Sequence, residues 1–152
     1  MENEQALADL RVFIQTNIPV YQRSKLLELL DKPDATQEDF EVLGKTLTGE
    51  TQKDSMFLPT GPGSANKRSM WNSTKKEVYK FFCTESSEYS QERNGWVGFI
   101  KDVIPVLATA VASELGVAIS VVIGVVTLVV MSVLKITRNA WCDCHKDIIQ
   151  QN

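Results

Sequence analysis

Apolar and polar positions follow two different patterns along this 152-residue chain. Up to about residue 94 the apolar positions recur with helical spacing, whereas from Trp96 to Leu134 they follow one another almost without interruption. After Asp102 this apolar run carries one charge, Glu114, and the 20 residues from Leu115 to Leu134 carry none. About 20 consecutive apolar residues make a typical membrane-spanning helix, so the run predicts a membrane protein.

The length of the run allows two arrangements. As one straight helix, residues 97–134 would measure roughly 57 Å, nearly twice the ~30 Å hydrocarbon thickness of a bilayer. A hairpin turning near residues 113–116 would give two arms of roughly 24 to 27 Å each. Basic and aromatic residues flank both ends of the run, at Arg93 and Trp96 on one side and at Lys135, Arg138 and Trp141 on the other. The proposed turn has no basic residue. By the positive-inside rule both ends lie in the cytosol, so the pattern favours a transmembrane hairpin, with one long transmembrane helix as the alternative.

Small residues recur every four positions through the run, at Ala108, Ala112, Gly116, Ser120 and Gly124. On a continuous helix they would form a ladder that lets helix backbones approach closely. The ladder is interpreted as a packing seam between copies or, alternatively, as part of an oligomeric pore. Pore lining would come from the polar residues of the run, Asp102, Thr109, Glu114 and Thr127.

Residues 1–49 predict three helices that form a small bundle. Proline disfavours helix in the residue before it, so the first helix should end before Ile18-Pro19 and the second before Lys32-Pro33. Thr36 is a predicted N-cap of the third helix, which Gly49 closes. About fifty residues are near the lower limit of what folds alone, so a partner or self-association should support this bundle.

The rest of the chain divides by composition. Residues 50–69 are rich in proline and glycine and predict a linker, and the fragment 61–67 lacks the second glycine of a phosphate-binding loop. Helix resumes over the basic juxtamembrane segment 70–94, with a break expected near Cys83. The transmembrane region covers 95–135, and residues 136–152 form a cytosolic tail.

The basic segment suggests an anionic surface as its partner. Five bases, Lys67, Arg68, Lys75, Lys76 and Lys80, stand against the single acid Glu77. Bases close to a membrane segment contact anionic lipid headgroups, which is the favoured interpretation. An anionic signal such as a nucleotide, or a merely solvated face, are the alternatives.

Cysteine usage and the N-terminus point to the cytosol. The first residues are acidic and lack the basic and apolar regions of a signal peptide, so we expect the N-terminal part to stay in the cytosol and the three cysteines to be reduced. Cys142, Cys144 and His145 are potential zinc ligands, but their spacing is unusual and a second ligand pair is missing nearby. The sequence therefore predicts no metal and no cofactor.

Enzymatic chemistry finds little support in the chain. Its single histidine lies in the tail, and no nucleophile elbow, paired carboxylates or glycine-rich strand-to-helix turn is present in the sequence. The prediction is a non-enzymatic protein.

The order of the parts resembles small membrane effectors of bacterial antiphage and conflict systems. The segment from Lys75 to Tyr89, followed by the run rich in alanine, glycine and valine and by Val133-Leu-Lys-Ile136, is similar to the C-terminal half of such proteins. The resemblance implies an inner-membrane protein whose helices oligomerise and depolarise or permeabilise the membrane on a cytosolic trigger.

Two other functions stay open. A membrane-anchored adaptor would recruit a cytosolic protein partner through the N-terminal helices, with the apolar run as an anchor or as a buried pair in a soluble assembly. A holin-like or toxin-like lysis protein would need no trigger.

Overall fold

The computed structural model describes residues 2–49, 69–83, 100–136 and 138–146. Throughout these residues the fold is all-α, as the sequence predicts. The seven helices in order are α1 Glu2–Asn17, α2 Val20–Asp31, α3 Gln37–Thr48, α4 Met70–Cys83, α5 Ile100–Leu115, α6 Ile119–Ile136 and α7 Arg138–His145.

The predicted ends of the first three helices are confirmed. Helix α1 stops before Ile18-Pro19, and α2 stops before Lys32-Pro33. Thr36 caps α3 through a capping box, because its hydroxyl accepts from the backbone N–H of Asp39 while the Asp39 carboxylate accepts from the Thr36 N–H. Gly49 ends α3 with a positive φ of 80°, a conformation that glycine adopts without strain.

Helix α4 begins behind Ser69, whose hydroxyl accepts a hydrogen bond from the backbone N–H of Asn72. Its described part reaches Cys83, and the break that the sequence predicts near this residue adjoins residues outside the described ranges. The remainder of the predicted basic segment, 84–94, lies outside the described residues, as do residues 50–68 of the predicted linker.

The apolar run folds back on itself between α5 and α6. Gly116 takes a φ of 71°, and the Val117 N–H donates to the carbonyl of Ala112 at 3.0 Å, which is the hydrogen bond of a Schellman motif. The turn lies where the sequence places it, and the alternative of one long helix is wrong. Helices α5 and α6, which this turn connects, pack against each other.

A transmembrane hairpin is nevertheless not supported. Among the described helices only α6 is long and apolar enough to cross a membrane. Helix α5 has 16 residues and contains Lys101, Asp102 and Pro105. Over the described residues, α5 therefore lacks the length and the composition of a second span.

One hydrophobic core joins all these helices, and α6 runs through its centre. Each of the six other helices in the described part of the chain contacts α6. The core includes Leu10 and Ile14 from α1, Phe40 from α3 and Phe81 from α4. The first three helices thus share their core with α5 and α6, and α6 has the position of the buried helix of a bundle.

Candidate functional site: the enclosed apolar helix and its surroundings

Helix α6 combines the composition of a membrane span with the burial of a core helix. Its 18 residues have a mean hydropathy of 2.5, and 67% of them are buried inside the bundle. The only charge it carries is Lys135, next to its last residue. A buried core helix of a water-soluble bundle would have the same length and composition, so the surroundings of α6 decide what it can do.

The polar side chains inside α6 bond to the helix itself. Thr127 donates its hydroxyl to the carbonyl of Ile123 at 2.8 Å, and Ser132 donates to that of Val129 at 2.6 Å. Neither hydroxyl depends on another helix for this hydrogen bond. Lys135 differs, because its ammonium donates to the carbonyl of Leu30 at the end of α2 at 2.8 Å.

The turn at Gly116 divides the predicted ladder of small residues between two helices. Ala108 and Ala112 are buried on α5, and Gly124 is buried on α6, while Gly116 and Ser120 are exposed. The ladder therefore does not form one continuous face in this arrangement. Its packing against another copy stays a prediction.

The four predicted lining residues are also dispersed. Asp102, Thr109 and Glu114 are exposed on α5, and the Thr109 hydroxyl donates to the carbonyl of Pro105. Thr127 is buried at the centre of the bundle. Within the described residues, three of these four side chains thus lie at the surface and one lies in the core.

Helices α2 and α6 run side by side in the same direction. Near their starts the Gln22 side chain lies against Gly124, and at their ends Lys135 bonds to Leu30. The Gln22 Oε1 atom is buried there without a hydrogen-bond partner. The starts of α2 and α6 consequently lie at the same end of the bundle.

Most of the exposed large apolar side chains belong to the two turns at this end of the bundle. Among the described residues they lie in the α1–α2 and α5–α6 turns or the first turn of the helix that follows: Val20, Tyr21, Val117, Ile119 and Val121. We call these five residues the apolar tip. Its members Val117, Ile119 and Val121 are the large apolar side chains of the candidate span and its turn that the described helices leave exposed.

At a second site, a partly buried carboxylate joins α3, α4 and α7. Glu41 accepts hydrogen bonds from the Trp71 indole at 2.7 Å, from the Lys75 ammonium at 2.8 Å and from the Gln37 amide at 2.9 Å. His145 Nε2 lies 3.7 Å from the same carboxylate. We call these five residues the Glu41 clasp.

The tautomer of His145 follows from its partners. Nδ1 lies 2.8 Å from the backbone carbonyl of Trp141, which can only accept, so Nδ1 carries a proton. Nε2 lies 3.2 Å from the Gln37 amide nitrogen and 3.7 Å from the Glu41 carboxylate, so it accepts from Gln37 in the neutral ring and faces the carboxylate as a donor when the ring is protonated. The imidazole also stacks on Trp141 of the same helix, with ring centroids 4.1 Å apart, which helps to hold the orientation of the ring.

The clasp strongly favours the charged form of Glu41. Burial alone would raise the pKa of this carboxyl, but the contacts with His145, Lys75 and Trp71 outweigh burial and hold its pKa far below the usual 4.5. The side chains of Lys75 and Glu41 are 11% and 24% exposed, so water screens this ion pair only partly. The clasp is therefore an electrostatic link between three helices.

A disulfide between Cys83 and Cys142 also links α4 to α7. The prediction of three reduced thiols is wrong for these two cysteines, because the packing of α4 on α7 brings their Cα atoms to 5.7 Å, within bonding range. The N-terminal residues and the cysteine usage, on which the prediction of reduced thiols rested, do not depend on how α4 and α7 pack. Cys144 is free and exposed.

The potential zinc ligands do not converge. Cys142 is bonded to Cys83, Cys144 faces solvent and His145 faces Glu41. Within the described ranges no three histidine, cysteine or acidic side chains come together in a way that could hold a metal ion.

The bases predicted to contact an anionic surface have different surroundings. The Lys75 ammonium forms an ion pair with Glu41 in the clasp, and the Lys80 ammonium lies 3.4 Å from the Glu77 carboxylate. Lys76 is partly exposed on α4. Lys67 and Arg68 lie outside the described residues.

Sequence reasoning missed the clasp because its members are far apart along the chain. Residues 37 and 145 are separated by 108 positions, and no periodicity connects them. Gly44 offered one signal: a Cβ atom there would lie 2.3 Å from the Trp71 ring, so this helical glycine marks the place where α3 approaches α4.

Comparison of the chain with protein-family models, with curated proteins and with solved structures finds no match.

Proposed function

We propose that this chain is a non-enzymatic membrane effector that stores an apolar helix in the core of a helical bundle and transfers it to the bilayer on a cytosolic trigger. Copies would then associate through the small residues of the run and permeabilise or depolarise the inner membrane. The observation that carries the proposal is α6, with a mean hydropathy of 2.5 over 18 residues and no charge before Lys135. The resemblance to small antiphage membrane effectors supports the same hypothesis.

The hydrogen bonds of α6 favour such a transfer. In lipid every polar group must find its partner within the protein, and an unsatisfied group costs several kcal/mol. The Thr127 and Ser132 hydroxyls keep their backbone partners when α6 leaves the bundle, since those partners belong to the same helix. Lys135, at the end of α6, can extend its ammonium to the headgroup region.

The trigger would act on the links that keep the bundle closed. The Glu41 clasp joins α3 to α4 and α7, all of which cover α6. Any signal that binds the open state better than the closed state shifts the equilibrium by the difference in its two affinities. Weakening the clasp should imitate that signal.

The test is membrane depolarisation in a bacterium, followed with a potential-sensitive dye. Glu41→Gln should depolarise faster than the wild type at equal expression, because it weakens the closed bundle. Glu38→Gln is the matched control, since it removes the same charge from an exposed position on the same helix. A double variant, Glu41→Gln with Val129→Asp, should be silent, because a charge at the centre of a span costs roughly 2.5 to 3.5 kcal/mol.

Two results would overturn the proposal. One is equal potential in cells expressing Glu41→Gln and Glu38→Gln, with both proteins present in the membrane fraction. The other is depolarisation by the Val129→Asp double variant, because the effect would then not depend on the apolar helix.

The burial of α6 favours a second candidate, a water-soluble interaction module in which α6 is a permanent core. Its partner surface would be the groove between α2 and α3, with a volume of about 450 Å³. Leu29 and Leu43 line this groove together with the charged residues Lys25, Glu28, Lys32 and Glu38. The module predicts that no variant of the clasp depolarises the membrane, so the same dye measurement separates the two candidates.

A further inference from the structure

We infer that the apolar tip is the surface by which the closed protein first docks on a bilayer, and that it docks on uncharged lipid. This inference rests on the proposed function and names the part of the molecule that makes its first contact. The apolar tip is the exposed cluster Val20, Tyr21, Val117, Ile119 and Val121.

The position of the apolar tip points to lipid as its occupant. Val117, Ile119 and Val121 belong to the turn before α6 and to its first turn, so the exposed surface continues directly into the candidate span. Tyr21 is 78% exposed at the same end of the bundle, and tyrosine rings favour the boundary between water and lipid.

The size of the apolar tip argues against a second copy as occupant. A stable protein–protein interface buries roughly 800 Å² on each partner, usually over 20 to 30 residues. Five side chains, each still partly covered by the bundle, provide much less. Shallow insertion of a few apolar side chains, to a depth of roughly 5 to 10 Å, is a typical mode of reversible binding to a bilayer surface.

The charges argue for uncharged lipid. From Leu115 to Leu134 there is no charged residue, the exposed residue just before this stretch is the acid Glu114, and the chain as a whole has a net charge of −3. The nearest base on α2, Arg23, donates from Nη2 to the carbonyl of Ile18 at 2.9 Å and so caps the end of α1. Anionic lipid therefore adds no attraction at the apolar tip, in contrast to binding through the basic segment, which would require it.

The experiment is sedimentation of the purified full chain with phosphatidylcholine vesicles, with and without phosphatidylglycerol. We expect the wild type to bind both, with partition coefficients within a factor of about two. Val121→Asp should lower binding at least tenfold, because it places a charge in the apolar contact. Val42→Asp is the matched control: Val42 is 56% exposed on α3 and Val121 is 48% exposed on α6, and Val42→Asp should bind as the wild type does.

Circular dichroism establishes that each variant folds, and Ile119→Asp repeats the test at a second exposed position. The docking inference is overturned if the wild type does not bind, if binding requires phosphatidylglycerol, if Val42→Asp loses as much as Val121→Asp, or if Val121→Asp and Ile119→Asp bind as the wild type does.

Release of a dye enclosed in the same vesicles separates this inference from the proposed function. If the wild type and Glu41→Gln both bind through the apolar tip but neither releases the dye, the docking surface is retained and permeabilisation is refuted. Release that Val121→Asp leaves unchanged would retain the effector and overturn the docking surface.

Discussion

Removal of the charge of Glu41 should destabilise the bundle more than removal of any exposed acid on the same helix. In Glu41→Gln the side chain keeps its shape and one carbonyl oxygen, but its second acceptor becomes an NH₂ group. The Lys75 ammonium, whose side chain is 11% exposed, would then lack its carboxylate at 2.8 Å. The Trp71 indole, now 2.7 Å from Oε1, can still donate to the amide oxygen.

The magnitude follows from these contacts. A hydrogen bond to a charged group contributes about 1.5 to 3 kcal/mol, and breaking a fully buried ion pair costs about 3 to 5 kcal/mol. Glu41 is 24% exposed, so water compensates part of this loss. We expect Glu41→Gln to lower the free energy of unfolding by about 2 to 4 kcal/mol.

Urea denaturation measures this loss, with tryptophan fluorescence as the signal because Trp71 and Trp141 are buried at the site. Glu38→Gln, an exposed position on α3, should stay within about 0.5 kcal/mol of the wild type. If Glu41→Gln also stays within that margin at an unchanged m value, the clasp does not hold the bundle closed and the reasoning is refuted.

The stability difference between the wild type and Glu41→Gln should also depend on pH. Because the pKa of Glu41 is lower in the folded protein than its ordinary 4.5, its stabilisation is present above the unfolded-state pKa and is lost as the pH falls below it. The stability difference between the wild type and Glu41→Gln should therefore be constant from pH 7 to about pH 6 and narrow steadily toward pH 2. A difference that widens on acidification would contradict this assignment.

Three further predictions concern packing and cross-linking. Gly44→Ala gains about 1 kcal/mol of helix propensity but forces a methyl group to within 2.5 Å of the buried Trp71 ring, so a net loss of about 1 to 3 kcal/mol is expected in urea denaturation. Reduction of the Cys83–Cys142 bond, which closes a loop of 59 residues, should lower stability by about 4 kcal/mol in the chain-entropy model and the melting temperature by roughly 8 to 16 °C. Gln22→Leu removes a buried oxygen without a partner and should raise stability by about 1 kcal/mol.

Each of these three has a contrary outcome. A Gly44→Ala protein more stable than the wild type would mean that Trp71 moves aside at little cost. A melting temperature unaffected by dithiothreitol would exclude the disulfide as a constraint in solution. A Gln22→Leu protein less stable than the wild type would show that the Gln22 side chain has a stabilising partner.

Local chemistry made many helix boundaries predictable. Pro19 and Pro33 stop helices through sterics with the preceding residue, Thr36 supplies a cap, and Gly49 and Gly116 accept a left-handed backbone. These effects act over a few residues and can be read from the sequence. They locate the turn between α5 and α6 as well as the ends of α1, α2 and α3.

The environment of the apolar run was not predictable in the same way. A span in lipid and a helix buried among other helices both require an uninterrupted apolar surface, so Val122 to Leu134 has the same composition in either case. What distinguishes them is the set of helices packed around α6, and this set depends on contacts between distant parts of the chain. The clasp and the disulfide depend on the same long-range packing.

The central claim is that α6 leaves the covering helices when the protein acts on a bilayer, and a distance between α3 and α6 tests it most directly. Spin labels at Val42→Cys and Ser120→Cys occupy exposed positions on the two helices, with Cys144→Ser to remove the free thiol. Electron paramagnetic resonance should give one narrow distance in water and, for the Glu41→Gln form on phosphatidylcholine vesicles, a population longer by at least about 10 Å, comparable with the diameter of a helix. An unchanged distance on vesicles that lose their contents would contradict the account, because α6 would then remain in the core while the membrane opens.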